Sequence, residues 1–198
     1  MSSHQIQTII KNNGGTIRMS EALNLGISRY RLYSMLEKGD IERLSRGIYR
    51  LSNIPTMSEP DLTIITTRIP SAVICLISAL SFHDLTTQIP HKVSIALPIG
   101  MKTPKLNYPP ITAYRFNKES FVAGIETHQI DGISIRVYDP EKTLVDCFKF
   151  RNKIGMNIVL EALKLYKERQ VIDIQGIMQY AKICRVSKVI SPYLEASL

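Results

Sequence analysis

The segment SRYRLYSMLEKGDIERLSRGIYRL, residues 28–51, sets a capped helix and a tight hairpin side by side, and few folds accommodate that pairing. Ser28 is a good N-cap, and Gly39 stands where a helix commonly leaves through a left-handed residue. Between them Leu32, Met35 and Leu36 fall on one face when residues advance by about 100° each. Two short alternating runs follow, 41–44 and 48–51, joined by Ser45-Arg46-Gly47 with glycine where a tight turn needs positive φ.

The residues before this segment complete a motif. Residues 4–12 read as a helix, with Ile6, Ile9 and Ile10 at helical spacing and Asn-Asn-Gly-Gly ending it. Residues 16–18 are extended. Ser20 is the expected cap of a short helix carrying Ala22, Leu23 and Leu25, which Gly26 separates from the next. Helix, short strand, helix, turn, helix and two-stranded wing is the order of a winged helix-turn-helix.

In that motif the second helix of the pair enters the major groove of DNA. Opposite the apolar stripe of helix 28–38 lie Tyr30, Arg31, Ser34 and Lys38, with Arg29 at the edge near the N-terminus and Ser28 at the cap. Arginine grips guanine through O6 and N7, while serine and tyrosine serve bases or phosphates. Arg46 on the wing, with Arg43 and Arg50 beside it, is placed for phosphates or a minor groove. The charge distribution agrees. The chain of 198 residues carries a formal +8. Residues 1–55 hold eight Lys/Arg against four Asp/Glu, whereas 56–198 hold 17 against 13, so the positive field is denser at the N-terminal end. Solvated charge, or a protein-binding winged helix, is the competing reading of this face.

The expected organisation is a DNA-binding domain at 1–54, a Pro- and Ser-containing linker over 52–60, and an α+β domain at 57–198. The second domain reads as a helix at 61–68, a buried helix at 71–83, and strands KVSIALP, ITAYRF, IETHQI and ISIRVY between 92 and 138. Helices follow at 140–151, 156–169, 173–183 and 186–196. A mostly antiparallel sheet with C-terminal helices is expected. Asp139-Pro140-Glu141 is a strong helix start.

The sequence carries none of the common catalytic motifs. There is no GxxxxGK loop, HExxH or GxSxG, and none of the ten glutamates begins a Glu-x-Lys pair of the restriction-nuclease kind. His83, His91 and His128 lack ligand-pair spacing. Asp139, Glu141 and Asp146 are better read as a cap, a dipole partner and an ion pair with Lys142 than as an acidic site. Cys75, Cys147 and Cys184 are odd in number and far apart, which suits a reducing cytoplasm and neither a disulfide framework nor a zinc site. Neither a signal peptide nor a span long enough for a bilayer is visible. No catalytic residue, metal or cofactor is expected. Basic clusters at Lys102/Lys105, Lys149/Arg151/Lys153 and Lys182/Arg185/Lys188 are solubilising charge or further nucleic-acid contacts.

Residues 14–51, through GISR, EKGDIERL and SRGIYRL, resemble the N-terminal winged helix of the AbiEi antitoxins of type IV toxin–antitoxin systems. ICLISALSFHDLTTQIP (74–90) and VYDPEKTLVDCFKFRNKIG (137–155) resemble that family's C-terminal antitoxicity region, although Asp84 stands where a glycine is expected after the histidine. The residues read as a cytoplasmic, non-enzymatic protein, and the resemblance implies a repressor that binds inverted repeats in the promoter of its own operon. It also implies that the second domain counteracts a nucleotidyltransferase-like toxin without a stable complex, as part of abortive-infection phage resistance. The alternatives are a winged-helix regulator whose C-terminal domain senses a ligand or partner, and a DNA-targeted nucleic-acid-processing enzyme.

Overall fold

A computed structural model describes residues 1–55, 57–169 and 172–195. The chain divides into two compact units, residues 1–70 with 128–135, and residues 71–127 with 136–198. Thr56 of the expected linker and Ala196, the expected end of the last helix, lie outside the described residues.

The first unit begins with α1 (Ser3–Asn12), started by a reciprocal capping box. The Ser2 hydroxyl accepts from the Gln5 amide at 3.3 Å, and the Gln5 side chain accepts from the Ser2 amide at 2.8 Å. Then come β1 (Thr16–Arg18), α2 (Met19–Asn24), α3 (Arg29–Glu37), β2 (Ile41–Ser45), β3 (Ile48–Leu51) and α4 (Pro60–Arg68). Ile6, Ile17, Ala22, Leu32, Ile41 and Tyr49 belong to one buried cluster, so every element from α1 to β3 contributes to a single core.

Two details depart from expectation, for one reason. The wing has three strands, because β1 pairs antiparallel with β3 in the order β1-β3-β2. That pairing holds Arg18 extended, and the Met19 amide donates to the Gly47 carbonyl at 2.9 Å. Helix α2 therefore starts directly at the end of the strand, with Arg18 as its cap residue and Ser20 inside the first turn.

The second unit contains β4 (Val73–Ile74), α5 (Leu76–Phe82), β5 (Val93–Pro98), β6 (Ile111–Phe116) and α6 (Lys118–Val122). These precede the hairpin of β7 (Ile125–Ile130) and β8 (Ile133–Tyr138), whose turn is grouped with the first unit. Five helices complete it: α7 (Pro140–Lys149), α8 (Arg151–Ile154), α9 (Met156–Arg169), α10 (Ile174–Cys184) and α11 (Ser187–Glu195). The sheet order is β6-β5-β4-β8-β7.

This sheet is mixed where a mostly antiparallel one was expected. β4 runs antiparallel to β5, but β5–β6 and β4–β8 are parallel. The segment 99–110 carries the chain back to the starting end of β5 before β6 begins, and turn residues alone do not disclose that return. The apolar run 71–83 is likewise not one helix. Val73 and Ile74 are taken by the sheet, pairing with Ala96 and Ile95, and the helix starts only at Leu76. A short apolar run does not distinguish a buried strand from a buried helix.

Helix α7 lies at the centre of this unit, with residues Lys142 to Phe148 all buried. Asp139 caps it, accepting from the Lys142 amide at 2.6 Å, with Pro140 in the first turn as the sequence predicts. Gly124, at φ +70°, approaches so closely that an added Cβ would lie 2.6 Å from the Lys142 Cβ. Among the described residues no helix is long and apolar enough to cross a membrane.

Candidate nucleic-acid interface

Ser28 fixes the start of α3. Its backbone is extended, at φ −69° and ψ 152°, and its hydroxyl accepts from the Arg31 amide at 3.4 Å. Leu32 and Met35 are fully buried beneath the helix and Leu36 partly so, which fixes the outward face. Arg29, Tyr30, Arg31 and Lys38 are exposed, and Ser34 is half-buried. Because the cap is local to the helix N-terminus, Ser28→Ala should cost about 1 kcal/mol of unfolding free energy. Urea denaturation followed by circular dichroism measures this, and an unchanged midpoint would mean that packing alone sets the helix start.

Sequence reasoning passed over Tyr33. It lies one turn after Tyr30 and is 48% exposed, against 77% for Tyr30. Burial pushes the hydroxyl of Tyr49 of β3 up, and Tyr33 adds to that shift. The i, i+3 spacing from Tyr30 was the available signal.

The wing is bent by a register shift between Arg43 and Ser45, and Arg43 donates from Nε to the Ser45 carbonyl at 3.4 Å. Gly47 closes the turn at φ +77°. Arg43 and Arg46 are exposed. Arg50 is not beside them. It is 6% exposed, pairs with Glu42 at 2.9 Å, and donates to the Ile54 and Pro55 carbonyls. β3 is the middle strand and all four of its residues are buried, and an arginine there ties the wing to the following segment. It is not free to meet a phosphate.

Among the described residues no carboxylate lies within 4.0 Å of the charged groups of Arg29, Arg31, Lys38, Arg43 or Arg46. Five exposed cations on α3 and the wing without anionic partners form a surface that attracts polyanions.

In the second unit the acidic trio is engaged internally. Tyr180 donates to Asp139 at 2.6 Å, Tyr166 donates to Glu141, and Lys142 donates to Asp146 at 2.5 Å. Burial pushes the Asp139 carboxyl up, and its bonds to Tyr180 and the Lys142 amide pull against that. The His83 Nε2 lies 2.8 Å from the Tyr138 carbonyl. No group of three or more His, Cys, Asp or Glu among the described residues is arranged to hold a metal. The basic cluster on α7 and α8 is partly committed too. Lys149 and Lys153 lie over the Phe150 ring, and Arg151 donates to the Phe148 carbonyl at 2.9 Å.

Residues 4–52 match the family of transcriptional regulators described as AbiEi antitoxin, so the resemblance seen in the winged-helix phrases is borne out over that segment. No curated protein matches the chain. Among solved structures, the chain is similar to the RV2827C protein from Mycobacterium tuberculosis, at 12% identity and a TM-score of 0.53. The similarity covers 93% of this chain and 76% of that one, and at that identity it speaks to fold alone.

Proposed function

We propose that this protein is a cytoplasmic AbiEi-type antitoxin and operon repressor. Its winged helix, at about residues 1–54, binds inverted repeats in its own promoter. The larger domain, at about 57–198, counteracts a nucleotidyltransferase-like toxin without forming a stable complex with it. The observation that carries the reading is the set of cations with no carboxylate partner among the described residues, Arg29, Arg31, Lys38, Arg43 and Arg46, all within the segment that matches transcriptional regulators. Most of the affinity comes from phosphate neutralisation, and the N-terminal turn of α3, with Ser28, Arg29, Tyr30 and Arg31, supplies base preference. Ser34 and Lys38 extend that contact along the helix. Five cations per bound copy contribute about −4 to −5 to the slope of log affinity against log salt.

Fluorescence anisotropy against the protein's own upstream DNA and a scrambled duplex, at two salt concentrations, tests this. Preference for the upstream DNA with affinity falling steeply in salt is expected. Equal or absent binding to both duplexes would remove the repressor reading, leaving the basic face as a protein-binding or solubilising surface.

A further inference from the structure

The wing turn has a neighbour from beyond the segment matched by the regulator family. Helix α4 ends in Arg68, an exposed residue. A Cβ placed on Gly47 would lie 3.9 Å from the Arg68 Nη1 and the same distance from the Met19 Cβ. The far end of Arg68 thus stands beside the wing turn at Gly47, the residue that follows the exposed Arg46 in the chain.

Arg18 is the third cation of this group. It sits at the start of α2, one residue before Met19, whose amide binds the Gly47 carbonyl. Its guanidinium is pushed down by burial and by the charge of Arg68, while Glu21 offsets part of the shift. Among the described residues neither Arg18 nor Arg68 has a carboxylate within 4.0 Å. Arg18 and Arg68 carry like charge at one place, and although Glu21 acts on Arg18, an added anion bound by both arginines relieves their repulsion. A phosphate meets the requirement, and the planar fork of arginine suits it.

We propose that Arg68 and Arg18 bind the DNA backbone next to the wing, so that the footprint extends past the winged helix onto α4. This role rests on the DNA-binding reading above. A backbone contact carries no sequence information, so its loss weakens all duplexes alike and lowers the salt slope.

The test uses the full chain and anisotropy on upstream and scrambled duplexes over a range of salt. Arg68→Ala should lower affinity on the order of fivefold at physiological salt on both duplexes and reduce the slope by about one. Arg68→Lys keeps the charge and should retain the slope. Two outcomes overturn the inference while the wild-type protein still binds. One is an unchanged slope in Arg68→Ala, which leaves the residue only its favourable place at the C-terminal end of α4. The other is equal loss in the lysine variant, which makes the role one of packing. If the wild-type protein binds neither duplex, the DNA-binding reading itself has failed, and this inference falls with it.

Discussion

Asp146→Ala is expected to destabilise the second unit by about 3–5 kcal/mol, among the largest single-residue effects in the chain. Asp146 and Lys142 are both fully buried, with the ammonium 2.5 Å from the carboxylate and 4.1 Å from the centroid of the Tyr138 ring. The Phe116 ring lies on another side at 4.9 Å, and the second carboxylate oxygen accepts from the Cys184 thiol at 3.5 Å. Aromatic faces attract an ammonium, but each contributes only about 0.5–2 kcal/mol. That is too little to replace a carboxylate for a charge removed from water. Once Asp146 is gone, the Lys142 ammonium is left without a carboxylate in a core that also holds Leu144, Val145 and Phe148.

The pair as a whole is another matter. Burial pushes the Asp146 carboxyl up, and Lys142 pulls it only part of the way back, so desolvation outweighs the attraction. Replacing both partners together, as Lys142→Met with Asp146→Leu, should therefore leave stability within about 1 kcal/mol of wild type. Urea denaturation of the three proteins measures the contrast. A loss below about 1 kcal/mol for Asp146→Ala would show that water already reaches the pair.

Those two residues also show where sequence stops being informative. Their spacing makes an ion pair on one helix face legible, but charged pairs at i, i+4 usually face solvent. The clue to burial is the apolar surround, Leu144, Val145, Cys147 and Phe148, which covers α7 on all sides, as in a helix enclosed by its neighbours. Most local causes were readable, the cap of α2 being the exception. The Ser28 cap, the Gly39 exit, the Gly47 turn and the Asp139-Pro140 start each depend on a few adjacent residues. Non-local causes were not. Arg50 resembles the other wing arginines until it is seen buried on the middle strand and paired with Glu42, and the parallel pairing of β5 with β6 depends on where a twelve-residue connection ends. Arg68 escaped notice because nothing in its neighbourhood of sequence links it to a turn twenty-one residues earlier.

On the proposed reading, Arg31→Ala should remove most of the preference for upstream over scrambled DNA, a loss of about 1–3 kcal/mol in discrimination. Arg31 is in the first turn of α3, its amide held by the Ser28 cap while its side chain is exposed. A groove-reading helix presents that turn to the bases. Arg46→Ala supplies the contrast, since a wing cation that meets phosphates should weaken both duplexes alike and leave their ratio intact. Protection against the toxin is the second readout. If the two domains divide the labour, Arg31→Ala should protect cells as well as wild type does while failing to repress. A folded Arg31→Ala protein that no longer protects would mean that the winged helix takes part in neutralisation. The cations of α3 would then serve a partner other than promoter DNA.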